Sequence, residues 1–299
     1  MTSWPIVLPA ALLLLAGCGS KPPPDAPEDV TLRQSARAGG SAMALERPAE
    51  AVAQYQRALE RARARDDASA IGDYGYNLAV AQLAADRPRD ALQTVRTTRV
   101  ELARRGVATF PALDLAEATA LYRLGLKQDS DRVAERVAAG NDPAAAARAT
   151  FLRGLIADET GNTAGLDAAL ARLAQAAPGN QSADADELRA RHDLRLGAFD
   201  AASTEAQRAA DARRSELDYR GMARALAVAA DADARSGRTQ AAADLYMRAG
   251  QSAAAQGDTD AARRWMRQAM NFATDQGLRQ TIRQAMAALP RPAPAAANR

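Results

Sequence analysis

The chain has 299 residues, of which 47% are hydrophobic and only 4% aromatic, and its 39 basic residues nearly balance its 36 acidic ones. This hydrophobic fraction supports a sizeable folded core, whereas the scarcity of Val, Ile and aromatic residues disfavours strands. The composition gives no support to nucleic-acid binding, because the basic residues form no block interleaved with aromatics. Ala, Leu, Arg, Glu and Gln dominate, and since these residues favour helices they predict an all-α fold.

The first element of the chain is an apolar stretch from about Ile6 to Ala16. A helix needs about 20 apolar residues to span a bilayer, so this shorter stretch is typical of the hydrophobic core of a signal peptide. It ends in Leu15-Ala16-Gly17-Cys18, which resembles the lipobox of bacterial lipoproteins. The resemblance implies that residues 1–17 are a removed signal peptide. It also implies that Cys18, the only cysteine, carries acyl chains, palmitate among them.

The residues after Cys18 indicate where the anchored protein is located. Position 19 is Gly, whereas the inner-membrane retention signal of bacterial lipoproteins is usually Asp, so the resemblance implies an outer-membrane protein facing the periplasm. Residues 18–28 include three consecutive prolines and predict a semi-extended spacer that holds the folded part off the membrane. The alternative is a repeat protein that is not lipidated, either cytoplasmic or secreted.

A pattern of helix starts recurs along the rest of the chain. Pro48 and Pro88 each stand at the predicted first position of a second helix, where the missing N–H of proline costs nothing. Asp142-Pro143 combines a capping residue with the same proline signal. Glycine suits the left-handed residue that ends a helix, and it precedes three further copies, at Gly197, Gly237 and Gly257. The chain is therefore predicted to consist of repeated helical hairpins.

Small residues recur where the paired helices would touch, and together with the turns they resemble tetratricopeptide repeats. Helix backbones pack closely only where side chains are small. The matching positions are Gly39, Ala51 and Ala58; Ala79 and Ala91; Ala118 and Ser130; Gly154; Ala190, Ala202 and Ala209; Ala230, Ala242 and Ala249; and Gly250, Ala262 and Ala269. The spacing is about 36–40 residues rather than 34, and Thr98 and Leu166 replace expected alanines.

The resemblance implies a right-handed superhelical α-solenoid of about six or seven stacked hairpins over residues 29–289. One hairpin cannot bury its apolar face alone, so neighbouring hairpins must cover one another. A last helix from about Leu278 to Leu289 is expected to cap the open end, and residues 290–299 are expected to form a disordered tail. Another kind of helical-hairpin repeat is the alternative.

The inventory of reactive side chains argues against catalysis. His192 is the only histidine, so Ser-His-Asp and Cys-His arrangements could form only around it. No Cys/His cluster has zinc spacing, and no cofactor is predicted. Acidic pairs such as Asp158-Glu159 fit the ordinary positions at helix ends. We therefore expect a protein that is not an enzyme. The alternative is an envelope enzyme of unrecognised type, which a pocket of carboxylates around His192 would favour.

The resemblance to tetratricopeptide repeats implies that partners bind on the concave face, which the first helices line. Tyr and Arg are favoured anchors at protein interfaces. By helical phase, the candidate partner-binding residues are Tyr76, Asn77, Tyr122, Arg123, Arg148, Phe151, Arg191 and Arg195. The sequence thus predicts a lipid-anchored scaffold or adaptor of the cell envelope that binds a protein or peptide partner.

Overall fold

The computed structural model describes residues 29–108, 110–176 and 182–290. Over these residues the chain forms fourteen α-helices and no strand. In chain order the helices are α1 Val30–Ala44, α2 Pro48–Ala64, α3 Ala68–Ala84, α4 Pro88–Arg104, α5 Pro111–Arg123, α6 Lys127–Ala138, α7 Pro143–Glu159, α8 Thr163–Ala176, α9 Ala183–Leu196, α10 Phe199–Ser215, α11 Tyr219–Arg235, α12 Thr239–Ala255, α13 Thr259–Phe272 and α14 Gln276–Ala288. No helix of this part of the chain is long and apolar enough to cross a bilayer.

The helices pair in chain order into seven hairpins, and each hairpin packs against the next. From α3 to α11, each first helix also contacts the first helix of the next hairpin. Of the second helices described, α12 and α14 contact each other, and the others do not pack closely against one another. The stack therefore curves toward its first helices, which line the concave face. The predicted all-α solenoid of about six or seven stacked hairpins is confirmed.

The predicted helix starts are confirmed. Pro48, Pro88 and Pro143 each begin a helix. The side chain of Asp142 accepts hydrogen bonds from the backbone N–H groups of Ala144 and Ala145, at 3.0 and 3.1 Å. Since the first N–H groups of a helix lack partners inside the helix, this cap satisfies two of them.

The turns between helices depend on left-handed residues. Gly197, Gly237 and Gly257 have φ values of 80°, 84° and 75°, as predicted for residues that end a helix. At each of these glycines an added Cβ would meet no other atom within 4 Å. Glycine is therefore favoured there by the positive φ and not by a lack of room for a side chain. Leu217 occupies the same kind of position between α10 and α11, with a φ of 60°.

The predicted small residues lie at the helix contacts. The alanines are all 0% exposed: Ala51, Ala58, Ala79, Ala91, Ala118, Ala190, Ala202, Ala209, Ala230, Ala242, Ala249, Ala262 and Ala269. A Cβ added to Gly39 would overlap the ring of Tyr55, and one added to Gly154 would overlap Leu188. Thr98, which replaces an expected alanine, is accommodated because it packs against Gly75.

The last helix, α14, covers the open end of the stack with one side of its surface. Ile282 is its only buried residue, while Gln280 and Arg283 are exposed. Arg279 is half-buried and donates a hydrogen bond of 2.9 Å to the backbone oxygen of Ala273, near the end of α13. The predicted capping helix is thus present. The expected signal peptide, the lipidated Cys18, the spacer and the tail after Pro290 lie outside the described residues.

Candidate functional site on the concave face

Several predicted partner-binding residues lie at the C-terminal ends of first helices, where each meets a neighbouring hairpin. The hydroxyl of Tyr122, in α5, donates to Glu159 at the end of α7. Burial and the adjacent charge of Glu159 raise the pKa of Tyr122, so the phenol stays protonated. Arg123, the last residue of α5, donates to Asp86 and to the backbone oxygen of Leu83.

Arg191 and Arg195 of α9 share a single carboxylate on α7. Arg191 Nη1 lies 2.8 Å from Asp158 Oδ2, and Arg195 Nε lies 2.7 Å from Asp158 Oδ1. Arg195 also donates to the backbone oxygen of Asp158, at the C-terminal end of α7. A cation placed at the end of a helix interacts favourably with the helix dipole, so these contacts tie α9 to α7.

Glu187 is the centre of the charged network and is 0% exposed. Arg224 of α11 binds it with two hydrogen bonds, Nε to Oε1 at 2.6 Å and Nη2 to Oε2 at 2.9 Å. Arg191 Nη2 lies 3.0 Å from Oε1, and Arg213 Nη2 lies 3.2 Å from Oε2. Burial disfavours the ionised carboxylate, but the charges of Arg224, Arg191 and Arg213 outweigh it and lower the pKa of Glu187 to about 2.

Phe151 lies beneath this network and not on an open surface. Its exposed fraction is only 9%. The guanidinium carbons of Arg213 and Arg224 stand 5.0 and 5.3 Å from the ring centroid, within the range of cation–π attraction. The expectation that Phe151 lines an accessible groove is therefore corrected: the cations of α10 and α11, which the phase of α7 alone does not reveal, cover the ring.

Arg213 brings the end of a second helix into the same network. Its Nη2 lies 2.7 Å from Asp184 Oδ1, and its Nη1 lies 2.6 Å from Asp218 Oδ2. Burial raises the pKa of Asp184, and the charge of Arg213 partly offsets that rise. The Nε of Arg213 is buried without a hydrogen-bond partner in the protein, so its ion pairs are made through Nη1 and Nη2.

The remaining predicted residues lie apart from the network. Tyr76 and Asn77 are half-buried on α3, and the ring of Tyr76 packs against the apolar core of the first hairpins. Arg148 is exposed in the first half of α7. The structure thus brings together Tyr122, Arg123, Phe151, Arg191 and Arg195, while Tyr76, Asn77 and Arg148 remain separate from them.

Several charges of this face were not among the predicted binding residues. They are Asp86, Arg213 and Arg224, together with Asp158 and Glu159, which were interpreted as ordinary helix-end residues. A signal for some of them is present in the sequence, because opposite charges recur about one repeat apart. Arg224 pairs with Glu187 at a separation of 37 residues, and Arg123 pairs with Asp86 at the same separation.

His192 contacts two carboxylates on the flank of the stack. Its Nε2 lies 3.2 Å from Asp167 Oδ1, and its Nδ1 lies 3.4 Å from Asp193 Oδ1. A cleft of about 400 Å³ lies elsewhere, among α6, α7 and α8. Among the residues that the structure describes, no group of three or more His, Cys, Asp or Glu side chains is placed to hold a metal ion. The contact with Asp167 joins α9 to α8, whereas Asp193 is the next residue of α9 itself.

No protein-family model matches the chain, and no curated protein matches its sequence. A solved tetratricopeptide repeat protein from Parabacteroides merdae ATCC 43184 is similar in structure, with a TM-score of 0.51 at 13% identity, over 86% of this chain and 99% of its own. The TPR2AB-domain:pHSP90 complex of yeast Sti1 aligns with 81% of this chain and 98% of its own, at 16% identity and a TM-score of 0.34. The first likeness shows that the fold is that of tetratricopeptide-like repeats.

Proposed function

We propose that this protein is a lipid-anchored scaffold of the bacterial cell envelope that binds protein or peptide partners on its concave face. Stacked repeats create an extended inner surface, and repeat proteins use such surfaces for binding. The observation that carries the proposal is the arrangement of Tyr122, Arg191 and Arg195. Tyr122 and Arg195 stand in the last turns of their first helices, Arg191 stands one turn earlier on α9, and each has a hydrogen-bond partner in a neighbouring hairpin.

This arrangement supports recognition and not catalysis. The polar groups form a wall that runs over several hairpins, and a partner can engage such a wall with many weak contacts. Tyr and Arg are enriched among the few residues that carry most of the binding energy at protein interfaces. Arg148 and Arg195, both exposed, are the side chains of this face that a partner would meet first.

The binding half of the proposal is tested by recovery of crosslinked partners from envelope membranes. We expect the double variant Arg148→Glu/Arg195→Glu to reduce recovery by about tenfold or more, because charge reversal at an interface anchor costs about 2 kcal/mol or more. The matched control is Arg57→Glu, an exposed arginine on the second helix α2. The concave face is not the binding surface if the double variant retains its partner as well as the control does.

The anchoring half rests on the lipobox that ends at Cys18 and on the spacer before α1. One acyl chain alone binds membranes only marginally, whereas the two or three chains of a bacterial lipoprotein give a firm anchor. We expect Cys18→Ser to abolish incorporation of labelled palmitate and to move the protein out of the membrane fraction. A variant that still sediments with membranes and still incorporates palmitate would contradict the anchor.

A further inference from the structure

One set of contacts on the concave face joins hairpins that are far apart in the stack. Arg220 lies in the first turn of α11 and contacts Asp258 Oδ2 at 3.0 Å, in the turn before α13. Its Nη2 also lies 3.4 Å from the backbone oxygen of Ala84, 136 residues away at the end of α3. The ion pairs of Arg191, Arg195 and the other cations on this face join only neighbouring hairpins.

Asp86, in the second hairpin, contacts one arginine from the third hairpin and one from the sixth. It lies in the turn after α3, where its φ of 59° directs the chain into α4. Arg123 donates to its Oδ1, and Arg220 Nη1 lies 3.7 Å from the same oxygen. The two arginines are close enough that burial and the charge of Arg220 lower the pKa of Arg123. The carboxylate of Asp86 therefore offsets a pair of like charges that would otherwise push the two sides apart.

Long side chains make this connection. In the part of the chain that the structure describes, α3 and α11 have no extended backbone packing, and the buried apolar residues of the second and sixth hairpins belong to separate clusters. The arginines are anchored by helix ends: Arg123 donates to the oxygen of Leu83, and Arg220 approaches the oxygens of Ala84 and Gln256. The joint is thus built from partly exposed ion pairs, which are individually weak and are screened by salt.

We propose that Asp86, Arg123, Arg220 and Asp258 form a clasp that holds the solenoid closed across its concave face. Opening the clasp releases the second hairpin from the sixth and lets the superhelix widen, while each hairpin stays packed on its neighbours.

The clasp is tested by the distance between two labels on the outer helices α4 and α12. The labels are attached through Arg89→Cys and Gln251→Cys, which are exposed positions, in a full chain that carries Cys18→Ser so that no other thiol is present. Pulsed electron spin resonance between the two spin labels reports the distance across the stack. No partner is needed, so this measurement fails or succeeds independently of the proposed function.

We expect Asp86→Asn and Arg220→Gln each to lengthen and broaden the distance distribution while circular dichroism is unchanged. Arg220→Lys keeps the charge and should keep most of the short distance. The matched control is Arg87→Gln, which lies in the same turn but pairs at 2.6 Å with Asp90 of its own helix and should change nothing.

A second measurement tests the clasp even if a variant fails to fold. Salt at about 1 M shortens the screening length to about 3 Å, so it should lengthen the distance in the otherwise unchanged protein. In Arg220→Gln, salt should add little to a distance that is already long. If the distance is the same in the unchanged protein, in the variants and at high salt, the clasp does not hold the solenoid closed.

Discussion

At the scale of single residues, the fully buried carboxylate of Glu187 has the largest energetic consequence. Removing a charged side chain from water costs several kcal/mol, and only well-placed opposite charges offset that cost. Arg191, Arg213 and Arg224 supply three such charges within 3.2 Å or less. Glu187 is the one carboxylate that all three arginines share, so its negative charge offsets their mutual repulsion, and its loss leaves that repulsion less balanced in a poorly solvated place.

We expect Glu187→Gln to lower the free energy of unfolding by about 3–5 kcal/mol at neutral pH, the usual cost of breaking a buried pair. The pKa of Glu187 in the folded protein is about 2, below the usual 4.5. The stabilisation by the ionised carboxylate is therefore complete above that usual value and is lost as pH falls toward about 2. Urea unfolding at a series of pH values should show the difference from the unchanged protein shrinking as the pH falls below about 4.5.

A suitable control for this experiment is Glu135→Gln, because Glu135 forms an exposed pair with Arg153 at 3.4 Å. Exposed pairs contribute about 0–1 kcal/mol, so this variant should change stability little at any pH. If the loss in Glu187→Gln does not vary with pH, the side chain acts through packing and its charge is not what stabilises the network.

Because positions 187, 191 and 195 are spaced four apart, Glu187 lies on the same face of α9 as the predicted Arg191 and Arg195. Their partners could not be predicted in the same way. Arg213 comes from the end of a second helix, and Arg224 comes from the next hairpin. The periodicity of one helix orients its own side chains but carries no information about which residue of a neighbouring helix stands opposite. For that reason the cations that cover Phe151 were missed.

At the scale of elements, the turns show where local sequence determines structure and where it does not. Gly197, Gly237 and Gly257 were predicted as left-handed residues because glycine has no Cβ to oppose that conformation. Leu217 adopts the same conformation without such a signal, and its side chain is 59% exposed. A bulky residue with positive φ is strained, so the packing of α10 against α11 must impose this turn.

We expect Leu217→Gly to stabilise the protein by about 1 kcal/mol, since a left-handed residue with a Cβ costs about 1–2 kcal/mol and glycine loses some of that gain through its greater freedom when unfolded. The reverse change, Gly237→Ala, should destabilise by about 1 kcal/mol, because its φ of 84° is unfavourable although the space around it is open. Thermal unfolding followed by circular dichroism measures both. A loss of stability in Leu217→Gly would mean that the exposed leucine makes a favourable contact.

At the scale of the whole molecule, the number of hairpins and their small contact residues followed from the repeated pattern. The amount of curvature in the stack did not follow from it. A small rotation between neighbouring hairpins accumulates along a solenoid, and only its sum decides whether distant hairpins meet. The approach of Arg220 to Ala84, 136 residues apart, therefore has no counterpart in local sequence. The partner-binding face assigned by helical phase stays a prediction, and the contacts between the second and sixth hairpins were not part of it.

The most direct test of the account is photocrosslinking in intact cell envelopes from one position on each side of the stack. A photoreactive residue replaces Arg148 on the first helix α7 or, in a separate protein, Arg57 on the second helix α2; both positions are exposed. If partners bind the concave face, position 148 gives a discrete protein adduct and position 57 gives none. An adduct from position 57 with none from position 148 would place the binding surface on the outside of the solenoid and contradict the account.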